Sequence, residues 1–140
     1  MNEYQEYFNK TAGKALATTD KNGNPNVCLC GSAFMIDEST IIAASGFFDQ
    51  TEKNIRETKK AVFMAFQPLS SVFWKHYEET GQQQFPAGMR FYCVLKETAP
   101  DGPMLAGIKQ RLRERVGNRI PDSLKDLLVF TIVKIRMLDF

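Results

Sequence analysis

Histidine is almost missing from this chain: His76 is the only one in 140 residues. A lone imidazole excludes a histidine-built zinc centre and a pair of histidines sharing acid–base work. The three cysteines, Cys28, Cys30 and Cys93, are too few for a disulfide framework and lack the Cys-x-x-Cys spacing of a metal or redox motif. Cys28 and Cys30 sit two apart on an expected strand, so their side chains share a face. Reduced thiols of a cytoplasmic protein are the preferred reading, and a redox pair is the alternative. No stretch approaches the ~20 apolar residues of a membrane span. The opening residues lack the charged start and apolar run of a signal peptide. Eighteen basic against 16 acidic residues leave a net charge of +2, too small to draw nucleic acid or an anionic membrane. A nucleophile elbow, a phosphate-cradling P-loop and a dinucleotide fingerprint are all absent. The expectation is one cytoplasmic domain with neither nucleic acid nor membrane as partner.

What the chain does have is a clear order of elements. Residues 2–10 set Tyr4, Tyr7 and Phe8 at helical spacing, with Gly13 as the expected stop. Lys14-Ala-Leu-Ala-Thr-Thr-Asp20 reads as a strand, and the Asn22-Gly23 pair after it favours a tight hairpin. Residues Asn26 to Ile36 read as one long second strand. A turn at Asp37-Glu-Ser39 leads to a third strand, Thr40 to Ser45, completing a meander. A helix over 50–58 turns Ile55 inward, and a strand from Ala61 to Phe66 ends at Pro68. Residues 69–85 are the least regular, a helix or an extended excursion closing in a polar loop. Gly88 to Glu97 forms a strand with Phe91, Cys93 and Leu95 on one side. Pro103 suits a first helical turn. Leu105, Ile108, Leu112 and Val116 then make an apolar stripe that Gly117 ends. Pro121 to Leu124 connects to a well-buried final strand over 127–138. The sum is a mainly β (α+β) domain of about six antiparallel strands with short flanking helices, a closed or split barrel. Eleven phenylalanines predict an aromatic core, or an apolar face buried in an oligomer.

Two places could carry chemistry. The first is the loop from Ser45 through Thr51 into Glu52-Lys-Asn-Ile55. Gly46 lets the backbone turn at the strand end, and Asp49 or Thr51 can cap the helix. The first-turn amides then favour a phosphate, with the Thr51 hydroxyl and the Lys53 ammonium nearby. On local chemistry alone, an ordinary capped helix describes the segment better. The second place is the late helix, with Lys109, Arg111, Arg113 and Arg115, followed by Arg119. Arg111 and Arg115 share a face, and the preferred reading is a solvated helix back. His76, beside Trp74 and Tyr77, has no nameable acid–base partner and reads as a packing or surface residue.

These residues, in this order, resemble the pyridoxamine-phosphate-oxidase-like flavin-binding split barrels. The likeness is carried by Ala15-Leu-Ala-Thr-Thr-Asp-Lys-Asn-Gly-Asn-Pro-Asn-Val27, the meander, the Thr51-Glu-Lys-Asn-Ile55 helix start and the Lys60-Ala-Val-Phe63 strand. It covers residues 10–66, and the later strand–helix–strand from Gly88 to Leu138 agrees in order. The resemblance implies a six-stranded Greek-key split barrel that pairs into a homodimer, with FMN at the interface. It implies flavin contacts from Leu29, Cys30, Gly31 and Ser32 on the second strand. It also implies contacts from Ser45, Gly46, Gln50, Thr51 and Lys53 around the helix start, with Trp74 as a lid. Gln50 stands where relatives are often basic, and Cys30 and Ser32 where many carry Arg, Thr or Asn, so fewer cations face the phosphate. The substrate-binding residues of true pyridoxamine phosphate oxidases find no match, and that reaction is not expected. The implied function is a small FMN-dependent oxidoreductase that needs no catalytic side chain. Its partner would be an unknown small molecule or redox protein. Two alternatives keep the fold: a non-catalytic electron carrier or flavin store, and a haem or deazaflavin binder with His76 as an axial ligand.

Overall fold

A computed structural model describes residues 2–11, 13–45, 49–67, 69–83, 86–99 and 102–138. In chain order the elements are α1 (Glu3–Lys10), β1 (Gly13–Thr19), β2 (Pro25–Leu29), β3 (Phe34–Asp37), β4 (Thr40–Ala44), α2 (Asp49–Thr58), β5 (Lys60–Phe66), α3 (Ser71–Thr80), β6 (Gly88–Ala99), α4 (Pro103–Val116), α5 (Arg119–Ser123) and β7 (Leu127–Met137). The seven strands pair in the order β2-β1-β5-β6-β7-β4-β3, every neighbour antiparallel. With its helices this is an α+β split barrel.

The expected second strand is cut at Gly31-Ser32 into β2 and β3. β2 pairs with β1 at one edge of the sheet, and β3 pairs with β4 at the other. Cys30 N–H still donates to Lys14 O at 3.0 Å. Two residues later, Ser32 Oγ accepts from Ala44 N–H at 3.1 Å. One run of chain therefore leaves one edge and joins the other, which curls the sheet towards closure. Counting that run as two strands gives seven where six were expected. The expected meander is two hairpins whose middle members lie at opposite edges.

Alternation along the strands sorts residues into an inner core and an outer layer. Inside the barrel lie Leu16, Met35, Phe63, Phe91 and Phe130, all fully buried. α1 plugs one end with Phe8, whose ring meets Phe91 edge-on at 5.0 Å and Phe63 at 6.2 Å. The Asn9 side chain fixes that plug by bonding both the N–H and the carbonyl of Met35 at 2.8 Å. β4 is buried on both faces: Ile41 and Ala43 point inward, while Ile42 and Ala44 pack outward against Leu105, Ile108 and Leu112 of α4. That double burial explains its unbroken apolar run. Phe8, Phe63, Phe73, Phe91 and Phe130 are each fully buried, so the aromatic-core expectation holds for them.

Several boundaries differ from the expectation. α1 ends at Lys10, where Thr11 N–H donates to Tyr7 O. Gly13 opens β1 instead, at a spot where a Cβ would meet the Phe66 ring at 2.7 Å. Residues 71–80 of the irregular stretch are helix α3, capped by Ser70 Oγ accepting from Phe73 N–H. Pro121 lies within a short helix, α5. Val116 is exposed, so the buried stripe of α4 ends at Leu112. The final strand is buried only in its first half; Val133 is 63% exposed and Met137 46%. α4 and Leu124 pack in one cluster with Leu127 and Val129, and no residue of β7 beyond Val129 belongs to it.

Candidate functional site

The uncovered outer face of β1, β2, β5, β6 and β7 forms an open groove of about 590 Å³. Ala17, Val27, Val62, Tyr92, Val94 and Val133 make its apolar walls. Val133 owes its place to a bulge. Tyr92 pairs with Lys134 and Cys93 with Ile132, so Val133 is the unpaired extra residue. Bulges of this kind bend a strand and re-aim a side chain.

No residue of α2 lines the groove, and α2 bonds inward-facing side chains of β1 and β2. Thr18 and Asn26 line the groove, and both also bond residues of the helix. Asn26 Nδ2 donates to Thr51 Oγ1 at 2.8 Å, and Thr51 Oγ1 donates to Cys28 Sγ at 3.4 Å. Asn54 Nδ2 donates to Thr18 Oγ1 at 3.1 Å and its Oδ1 accepts from Gln50 Nε2 at 2.8 Å. Thr51 and Asn54 are buried. The inner face of α2 is thus mostly polar and satisfied, with Ile55 as its fully buried apolar anchor.

The expected site residues fall into separate groups. Gln50, Thr51 and Lys53 lie on the first turns of α2. Thr51 points inward to Asn26 and Cys28, and Lys53 is exposed. Leu29 ends β2 and is 78% exposed. Cys30 is buried behind it, and burial pushes its thiol up to about 11. Gly31 and Ser32 form the bend and line a small notch with Lys14, Arg111 and Arg115. Ser45 follows β4; it is 1% exposed and its hydroxyl has no hydrogen-bond partner among the described residues. Gly46 lies outside the described residues. Trp74 sits on α3, edge-on to Phe73 at 5.3 Å, and lines neither the groove nor the notch.

Sequence reasoning passed over Thr18, Asn26 and Lys14. Thr18 and Lys14 share the inward register of Leu16, so polar residues at buried strand positions were the available signal. Among the described residues, no three His, Cys, Asp or Glu side chains converge on a metal-sized site. Among them also, no helix is long and apolar enough to cross a membrane.

Comparison with known proteins places the chain. A family model described as pyridoxamine 5'-phosphate oxidase matches residues 1–139. The crystal structure of an FMN-binding protein from Syntrophomonas wolfei subsp. wolfei shares 29% identity over 99% of this chain and 88% of that one, with a TM-score of 0.75. The haem storage protein HutZ from Vibrio cholerae shares the fold at 17% identity, over 96% of this chain and 92% of that one, with a TM-score of 0.62. The flavin reductase of styrene monooxygenase from Pseudomonas putida shares it at 11% identity, over 99% and 88%, with a TM-score of 0.56. No curated protein matches in sequence.

Proposed function

The chain belongs to the pyridoxamine 5'-phosphate oxidase family, and from that premise we propose that it is an FMN-binding flavoprotein acting as a small oxidoreductase. The observation that carries the reading is the apolar groove of about 590 Å³ on the outer face of the sheet, two of whose lining residues, Thr18 and Asn26, also bond α2. A groove of this size and lining suits a flat aromatic ring. A helix start suits an anion, and Lys53 adds a cation with no ion pair among the described residues. The partnerless Ser45 hydroxyl lies where β4 hands over to the segment leading into α2. A buried hydroxyl without a partner is costly unless a ligand satisfies it. These features fit a phosphorylated flavin.

Bound flavin would supply the hydride or electron transfer. The chain's part is to hold it: Val27, Val94 and Val133 against the ring, and Lys53 and Ser45 towards the phosphate. The inward Thr51 keeps the helix start in place through Asn26 rather than spending its hydroxyl on the ligand. A second copy of the chain would close the outer wall of the groove, so the reading includes a homodimer. It also leaves room for a flavin carrier without a substrate.

The test is an absorbance spectrum of the purified protein, followed by FMN titration with fluorescence as the readout. Quenching of FMN at micromolar protein is the expected result. Lys53→Ala should weaken it about tenfold, or about 1.4 kcal/mol. Unchanged affinity in that variant moves the phosphate away from α2. Turnover of NAD(P)H by the loaded protein separates an oxidoreductase from a carrier. If FMN does not bind and added haem gives a Soret band that His76→Ala abolishes, the haem reading replaces this one.

A further inference from the structure

The outer face of the sheet changes character from one side to the other. Strand register sets its residues in rows that cross the strands. One row runs Val27, Ala17, Val62, Tyr92 and Lys134; the next runs Leu29, Ala15, Met64, Arg90 and Arg136. Both rows are apolar across β2, β1 and β5 and end in a cation on β7, and the second has a cation on β6 as well. Arg90 and Arg136 pair directly, so their Cα atoms stand roughly 4.5–5.5 Å apart. Tyr92 and Lys134 lie two residues along the same strands, roughly 7 Å away. Among the described residues, Arg90, Lys134 and Arg136 make no ion pair. No carboxylate lines the groove, and the first one after Arg90 along β6 is Glu97, past it.

Like charges directly opposite on neighbouring strands destabilise a sheet. Cations on an open edge can still serve to deter wrong pairing. That explanation reaches Lys134 and Arg136, because beyond Ile132 β7 has β6 as its only neighbour among the described residues. It does not reach Arg90, which lies on β6 between β5 and β7 and guards no edge. Two facing guanidinium groups suit one shared oxyanion, since each offers paired N–H donors in a fixed plane. Tyr92 joins these cations to the apolar space: its ring walls the groove, and Lys134 Nζ stands 5.8 Å from the ring centre. A molecule with an aromatic body in the groove and an acidic group one row over meets both surfaces at once.

We propose that Arg90 and Arg136 form an oxyanion-binding end to the groove, and that the groove takes a small aromatic acid with its ring at Tyr92 and its acidic group between the two guanidinium groups. The acidic group is a carboxylate or a phosphate ester. This makes aromatic anions the substrate class of the groove, a step that rests on the flavin reading above; the anion site itself does not.

The experiment is fluorescence titration of the purified protein with two dyes: anilinonaphthalene sulfonate, an aromatic anion, and phenylnaphthylamine, the same ring body without the sulfonate. The anion should bind at least tenfold more tightly. The double variant Arg90→Gln, Arg136→Gln should remove that preference and leave the affinity for the neutral dye as it was. Circular dichroism checks the fold, and Arg136→Gln alone, at an exposed position, should already lose part of the preference. The control is Arg119→Gln, Lys125→Gln, which lowers the net charge by the same amount at exposed positions on and beside α5 and should keep the preference. Displacement of the anionic dye by benzoate ahead of phenyl phosphate would identify a carboxylic acid, and the reverse order a phosphate ester. Equal affinity for the two dyes overturns the proposal, as does an equal loss in the control. FMN affinity should be unchanged in Arg90→Gln, Arg136→Gln; a fall would make the two arginines the flavin's own phosphate contacts and overturn a separate anion site. Failure of FMN to bind even the unaltered protein would remove the flavin reading, while the dye titration would still decide this one.

Discussion

On β6, Phe91, Cys93 and Leu95 face the barrel interior while Tyr92 and Val94 face the groove; on β7, Leu128 and Phe130 face inward and Val133 outward. Both faces are apolar, yet one is sealed and the other open. The inner set meets Phe8 and Phe63 from opposite elements, as in the edge-on contact of Phe63 with Phe130 at 5.2 Å. The outer set lies open: Val133 is 63% exposed, and Tyr92 meets Lys134, whose Nζ is 5.8 Å from its ring centre. Apolar character therefore marks surfaces that must be covered, without saying by what. The sealed face accounts for stability, and the open one is available for a ligand or a second chain.

The comparison can be broken at either face. The largest effect is expected inside: Phe130→Ala should cost about 3–5 kcal/mol in urea unfolding. A loss below about 1 kcal/mol would mean that the interior is not where stability resides. On the open face, Val133→Asp should leave the stability of the single chain within about 0.5 kcal/mol. The same change should abolish the proposed homodimer in sedimentation and weaken the proposed FMN binding. A variant that still sediments as a dimer would separate the groove from self-association.

The smallest effect sharpens the inner side through pH. Burial pushes the Cys30 thiol up to about 11 and the Cys93 thiol up to about 12, against an ordinary value of about 8.5. The unfolded chain loses these protons first. The stabilisation is therefore complete below about pH 8.5 and declines as pH rises towards the folded values. Unfolding free energy measured from pH 8 to pH 11 should fall, and Cys93→Ala should flatten part of the slope. An unchanged slope in that variant would place its source outside the core thiols.

Much of the fold was legible in the sequence because local patterns agreed with their final surroundings. The Asn22-Gly23 turn, the Leu105–Ile108–Leu112 stripe and the alternation of Phe91, Cys93 and Leu95 all point to the elements that form. The break at Gly31-Ser32 was not legible. Residues 26–36 are uniformly strand-like, and only the sheet edges they must join decide where they part. The exposed half of β7 was misjudged because β-branched content reports strand propensity and not coverage. At the site, Gln50, Thr51 and Lys53 do share the helix start. The inward turn of Thr51 depends on Asn26, 25 residues earlier. The notch draws on three elements far apart in sequence, so nothing in the sequence sets Lys14 beside Arg111 and Arg115.

The position of β7 between β6 and β4 has a consequence for how the molecule is made. Residues 40–44 wait for residues 127–131 before their outer ladder can form. As synthesis proceeds at about 5–20 residues per second, the hairpins β1–β2 and β3–β4, and the β5–β6 pair that flanks α3, can each assemble while the chain is still emerging. β4 and β6 meanwhile keep raw edges that any passing strand could take. A nascent chain paused before Leu127 presents both at once, and that is the interval in which its strand edges are most exposed to wrong pairing.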